Sequence, residues 1–367
     1  MPALSETIGM GLLDHPCQPY LSEVSPQFKS MKPILLTGFT ALVLWGCTAQ
    51  NVSQTPESTE TSSPPVETVE AEQAEPEQAT PKPLPDVPLT AASEDWQQQT
   101  HIHGIGVNPS NPEVVYIATH HGIVIRSPEG EWLQLGDDRS DLMGFAMHPE
   151  DQMLLYRSGH PGHGHDTGGS HNLGFEVSAD GGASWQRRSM EGVDFHTLAI
   201  APGHPDVFYG LATSGQQGLF KSDDGGNTWI PLAANGLDAT PFKFAIAPQN
   251  SDHVFATTQA GLFESTDGGQ TWTLRPNTAT APLTDLIAIE AGDQNHLVGF
   301  QLTPSGQTFV ISQNQSQSWE PLGNSQTEGV VLHMAAAPSN PTMLYAATDQ
   351  NQIYQSSDSG ETWTVLN

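Results

Sequence analysis

One short pattern recurs along the chain and limits its architecture more than any other feature. SADGGASW (178–185), SDDGGNTW (222–229), STDGGQTW (265–272) and SSDSGETW (356–363) share a Ser, an acidic or polar turn, Gly and a closing Trp. A worn copy, SQNQSQSW, occupies 312–319, and a more eroded one, SPEGEW, occupies 127–132. The copies stand roughly 45 residues apart, the length of one four-stranded propeller blade. Other segments repeat in step. Apolar stretches that end in a turn (HGIGVNP, MGFAMHP, HTLAIAP, FKFAIAP, LHMAAAP) each precede a second apolar run such as VVYIAT or VFYGLAT. Short strands punctuated by turns predict an all-β chain. Six such units over residues 96–367 predict a six-bladed β-propeller, with no seventh blade visible.

The Ser-x-Asp-x-Gly-x-Thr-Trp pattern resembles the Asp-box, or bacterial neuraminidase repeat, of sialidases, sortilin-like receptors and photosystem II assembly factors. In that motif the carboxylate accepts turn amides and glycine permits a positive φ. Asp180, Asp224, Asp267 and Asp358 are therefore expected to hold turns rather than to react. A fold of this kind carries many functions, so the repeat names no reaction.

The resemblance implies a topology, with the innermost strand of each blade starting at the ligand-binding top face and the motif turns on the opposite rim. Aligning the inner strands on their terminal turns puts His103, Met143, His196, Phe242, Asp285 and Leu332 at one equivalent position. Two residues earlier, on the same side of an alternating strand, stand His101, Asp141 and Asp194. His120 and His121 join them from a loop in blade one. His333 is expected on the other side of its strand from Leu332. Imidazole, thioether and carboxylate thus gather on the top of blades one to three, where a plain repeat would distribute residues evenly. Imidazole with thioether suits copper, and imidazole with carboxylate suits zinc. The expected ligands are His101, His103 and His196, then Met143, Asp141, Asp194, His120 and His121. The stretch SGHPGHGHDTGGSH (158–171) brings His160, His163, His165 and His171 as a flap over that mouth.

Residues 31–47, MKPILLTGFTALVLWGC, have the basic start, apolar run and small-residue end of a secretory signal. Leu44-Trp45-Gly46-Cys47 resembles a bacterial lipobox, which implies lipidation at Cys47. Residues 1–30 fit no signal region, so Met31 reads as the true initiator. Residues 48–95, rich in Glu, Pro, Thr, Ser and Gln, cannot bury a core and are expected to form a disordered tether. The chain is then a membrane-anchored lipoprotein on the extracytoplasmic side. Its formal charge of −30, from 11 Lys+Arg against 41 Asp+Glu, argues against a nucleic-acid partner. The two cysteines, Cys17 and Cys47, precede the repeats and supply them with neither disulfide nor thiolate ligand.

HIHGIGVNP, ATHHG, GDDRSDLMGF, NLGF and GVDFHTLAIAP resemble a bacterial Asp-box family often labelled glycosyl hydrolase. Sialidase chemistry implies three arginines on the substrate carboxylate, and only Arg139 is expected near the mouth. Two-carboxylate glycosidase chemistry has Asp141, Asp194 and Asp285 to draw on, and no sequence feature singles out a pair. The leading expectation is a propeller that binds copper or zinc, or a small ligand, at the top of blades one to three, with no organic cofactor. The alternatives are a protein-binding scaffold similar to the photosystem assembly propellers and a glycoside-binding or glycoside-cleaving propeller.

Overall fold

In the computed structural model, residues 83–162, 169–276, 278–291, 294–323 and 326–366 are described. The signal-like segment 31–47, Cys47, the tether as far as residue 82, and His163 and His165 lie outside them. Six sheets follow one another along the chain, each an antiparallel meander built from a continuous stretch. Their inner strands are Ile102–Val107, Asp141–Met147, Asp194–Ala201, Pro241–Ala247, Leu283–Ala291 and Val331–Ala337. Each inner strand packs beside the next and the last packs beside the first, closing a six-bladed β-propeller. Helix among the described residues is confined to a single turn at Trp96–Gln98.

The apolar runs are continuous because every blade is buried on both faces. In blade 1, Val115 and Ile117 pack toward blade 6, while Val114, Tyr116 and Ala118 pack toward blade 2. A half-exposed sheet would alternate apolar with polar. A sheet sandwiched between neighbours does not.

The seam between the last and first blades is closed by side chains. Buried Asn351 donates from Nδ2 to the carbonyls of Gln97 and Thr100, both at 2.7 Å, and its Oδ1 accepts from the Ile102 amide at 3.3 Å. Trp96 and Leu366 join the same apolar cluster across the seam. Residues 83–95, read from sequence as the end of the tether, belong to the folded unit. Leu89–Ala91 pairs with Trp132–Leu135 as a fifth strand of blade 1, and Leu84, Val87 and Leu89 pack onto its core. Their apolar side chains are few but spaced to cover an otherwise open edge.

The motif turns share one geometry. Ser222 Oγ donates to Asp224 Oδ1 at 2.9 Å and accepts from the Gly226 amide at 2.9 Å. Asp224 also accepts from the Thr228 amide at 2.8 Å and from Thr228 Oγ1 at 2.7 Å. Gly226 sits at φ +79, and a Cβ there would collide with the Phe175 ring of the preceding blade. The worn copy keeps the design with Asn314 in place of Asp, accepting from Ser312 Oγ and the Ser318 amide at 3.0 Å.

Candidate metal site at the propeller mouth

All six inner strands are irregular one or two residues in from the top. The ladder skips at His103, Met143, His196, Phe242, Thr284 and Leu332. Such bulges turn a side chain away from the regular face. In blade 5 the bulged residue is Thr284 and not Asp285, as the sequence alignment had it. Blade 5 runs on to Ala291 without the irregularity that ends the inner strands of blades 3, 4 and 6, so its terminal turn is a displaced reference point.

The inner strands frame a central cavity of about 480 Å³ whose lining includes His103, Met143, His196, Lys243, Asp285 and His333. His333 faces the cavity and is only 7% exposed, while Leu332 is 37% exposed. The expected sides of these two residues are reversed. Small residues follow the bulge in blades 1 to 3 (Gly104, Gly144, Thr197), so the bulged side chains fill the mouth there. In blades 4 to 6 the next residue fills it instead.

The first imidazole group lies on blade 1. His103 Nε2 stands 3.1 Å from His120 Nε2, and His101 Nδ1 stands 3.3 Å from the same atom. His120 Nδ1 meets Asp141 Oδ1 of blade 2 at 2.5 Å. Burial pushes the Asp141 pKa up, but the hydrogen bond and charge of His120 outweigh it and hold the group below its ordinary value. Asp141 is therefore ionised and holds a proton on His120 Nδ1, so the neutral form of His120 carries its lone pair on Nε2. Burial, followed by the neighbouring His120, drives the His103 pKa down to about 3, so His103 is neutral at physiological pH. The His101 and His103 rings meet His120 at 60° and 70°, with edges converging rather than faces stacking. A tetrahedral ion with bonds of about 2.0–2.1 Å separates its ligand atoms by about 3.3 Å. His103 Nε2 and His101 Nδ1 each stand at about that spacing from His120 Nε2.

A second group lies one blade on. His196 Nε2 is 2.8 Å and His160 Nε2 3.6 Å from Asp194 Oδ2, and Asp194 is 1% exposed. In both groups, one ligand atom from each of three residues (His103, His120 and Asp141; His160, Asp194 and His196) falls within 4.8 Å of the others. The residues expected to form one cluster thus divide into two, which meet where Asp141 pairs with His160 across the first two strands of blade 2. His160, assigned from sequence to the flap, ends the strand Leu155–His160 and belongs to the second group. Met143 lines the cavity, while His121 and His171 are exposed and join neither group.

The far side of the mouth has a different character. Burial raises the Asp285 pKa to about 7, against the pull of Lys243 and of hydrogen bonds from the Leu286 and Met334 amides at 2.7 and 2.6 Å. Burial lowers the Lys243 pKa, partly restored by Asp285. Burial also lowers the His333 pKa well below its usual value, helped by Lys243. Lys243 went unnoticed in the sequence, although a lone lysine inside the apolar run FKFAIAP of so acidic a chain is a visible signal. Among the described residues, no arginine lines the cavity. Arg139 is exposed and caps the carbonyls of Gly136 and Asp138, and Arg157 is buried against Glu176 and Asp138.

No protein-family model and no curated protein matches this sequence. Solved structures do. The GH74 enzyme of Niastella koreensis superposes with a TM-score of 0.52 at 18% identity, over 72% of this chain and 45% of its own. The GH74 xyloglucanase from Xanthomonas campestris gives 0.50 at 17%, over 73% of this chain and 45% of its own. YCF48 bound to D1 peptide gives 0.39 at 15%, over 61% and 65%, too loose a fit to support any argument. The chain spans less than half the length of the GH74 proteins, and at these identities the likeness is one of fold.

Proposed function

We propose that this propeller binds a transition metal ion, copper or zinc, through His101 Nδ1, His103 Nε2 and His120 Nε2, with Asp141 orienting His120. The convergence of three imidazole nitrogens at 3.1 and 3.3 Å carries the reading. Without an ion, the bare lone pair of His120 Nε2 faces two further ring nitrogens that can each satisfy it, and one donor is superfluous. With an ion, all three lone pairs are used. A carboxylate that fixes the tautomer of a ligating histidine is a common companion of such sites. The signal-like segment 31–47 and Cys47 support a lipid-anchored, extracytoplasmic setting for the same molecule.

Metal analysis of the chain purified without a histidine tag tests the proposal, together with calorimetric titration of Cu(II) and Zn(II) into chelator-treated protein. The expected result is uptake of which at least one equivalent is lost in a His103→Ala/His120→Ala double variant. Uptake unchanged in that variant overturns it. Glycoside turnover that survives chelation and is lost in Asp141→Asn would instead favour the carbohydrate reading.

A further inference from the structure

We infer that His160, Asp194 and His196 form a second metal site, open toward the central cavity, that takes a zinc-class divalent ion. The inference stands on residues other than those of the first site.

Asn172 carries the argument. Its amide is buried and its orientation is fixed, because Nδ2 donates to the Gly192 carbonyl at 2.8 Å and to Ser214 Oγ at 3.0 Å. Its Oδ1 can then only accept, and the atom it faces is His160 Nδ1 at 3.1 Å. The proton of a neutral His160 is thereby placed on Nδ1, and Nε2 is left bare. That bare nitrogen stands 3.6 Å from Asp194 Oδ2. A lone pair beside a carboxylate oxygen is repulsive unless a proton or a metal cation lies between them.

Asp194 presents the same deficit from the other side. It is 1% exposed, and neither of its oxygens receives a hydrogen bond of acceptable geometry, although His196 Nε2 is 2.8 Å from Oδ2. A buried carboxylate without donors is costly. An ion bound by Oδ2 and the two Nε2 atoms removes both difficulties at once. Two imidazoles and one carboxylate suit zinc and its neighbours. Three protein ligands leave a tetrahedral ion one position for water or a small anion, as open sites do. His196 is exposed and lines the cavity, so that position faces the mouth.

The test is zinc titration by calorimetry into chelator-treated full-length protein in which His163 and His165 are alanine, so that loop histidines contribute nothing. Two equivalents are expected. Asp194→Asn and His160→Gln should each remove one, and His103→Ala/His120→Ala should remove the other. Asn172→Ala, which touches no ion, should weaken the second equivalent by about 10–100-fold and leave the first unchanged. It serves as the readout if the buried Asp194→Asn variant fails to fold. Azide added to the cobalt(II)-loaded His103→Ala/His120→Ala variant, in which only this site remains, should shift the visible absorption, and no shift overturns the open position. A single equivalent that Asp194→Asn, His160→Gln and Asn172→Ala all leave unchanged overturns the inference. A single equivalent that they remove or weaken leaves this site standing and the first one refuted.

Discussion

The chain uses aspartate in two ways, at opposite ends of the same blades. On the motif rim, Asp224 receives a serine hydroxyl, a threonine hydroxyl and backbone amides, all from within four residues. Hydrogen bonds to its charged form, the backbone and side-chain donors of Thr228 foremost, hold its pKa below the ordinary value. At the mouth, Asp141 and Asp194 have imidazoles as partners: His120 reaches Asp141 from blade 1, while Asp194 is approached by His160 from blade 2 and by His196 from its own strand. A carboxylate satisfied by its own turn has nothing left to offer a ligand. One met by an imidazole from another blade marks a place where the fold has assembled something. Residue type alone does not separate these roles. The origin of the partners does.

Four changes would break or sharpen the contrast. His120→Ala removes the nitrogen on which the first group converges and should weaken its metal affinity by at least about 100-fold, read by competition with a chromogenic chelator. Asp141→Asn keeps every proposed ligand but releases the His120 tautomer, and should cost about 10–100-fold in the same measurement. Ser222→Ala does the reverse. It leaves the buried Gly226 amide without its acceptor, so chemical denaturation should show a loss of about 1–3 kcal/mol, with metal uptake unchanged. Altered uptake in that variant would erase the distinction between the two rims.

The smallest effect concerns Asp285, a third kind of aspartate whose burial raises its folded pKa to about 7 from an ordinary 3.8. Between those values the folded chain holds a proton that the unfolded chain has released, so this group's contribution to stability is full below about pH 4 and is lost as pH rises toward 7. Asp285→Asn should flatten the fall in unfolding midpoint over that interval, and an unchanged slope would show that Asp285 is ionised throughout.

The fold was legible because the repeat is local. Ser, Asp, Gly and Trp at fixed offsets build a turn without help from distant residues, and six turns in step leave few architectures open. The site was legible only by face. Strand alternation brought His101, His103, Asp141, Asp194 and His196 to the mouth, but bulges decide where the side chains finally aim. A bulge is a property of two paired strands, and it appears in the sequence of neither one. For that reason Asp285 was put in place of Thr284, and His333 was sent to the wrong side of its strand. His160 was misjudged for a different reason. Its glycine-rich surroundings read as loop, and its strand partner Asp141 lies far back in the sequence. Asn172 carries no mark in the sequence, because its importance lies in three hydrogen bonds to partners on separate segments.

The closure at Asn351 has a consequence for how the chain could be rewired. Each blade is built from one continuous stretch, so the junction between blade 6 and blade 1 is the one the backbone does not cross, and the Asn351 side chain bridges it instead. Leu366 and Trp96 already share one apolar cluster there. A circular permutant joined across that junction and opened between blades 4 and 5 keeps every blade whole, and with them both histidine groups.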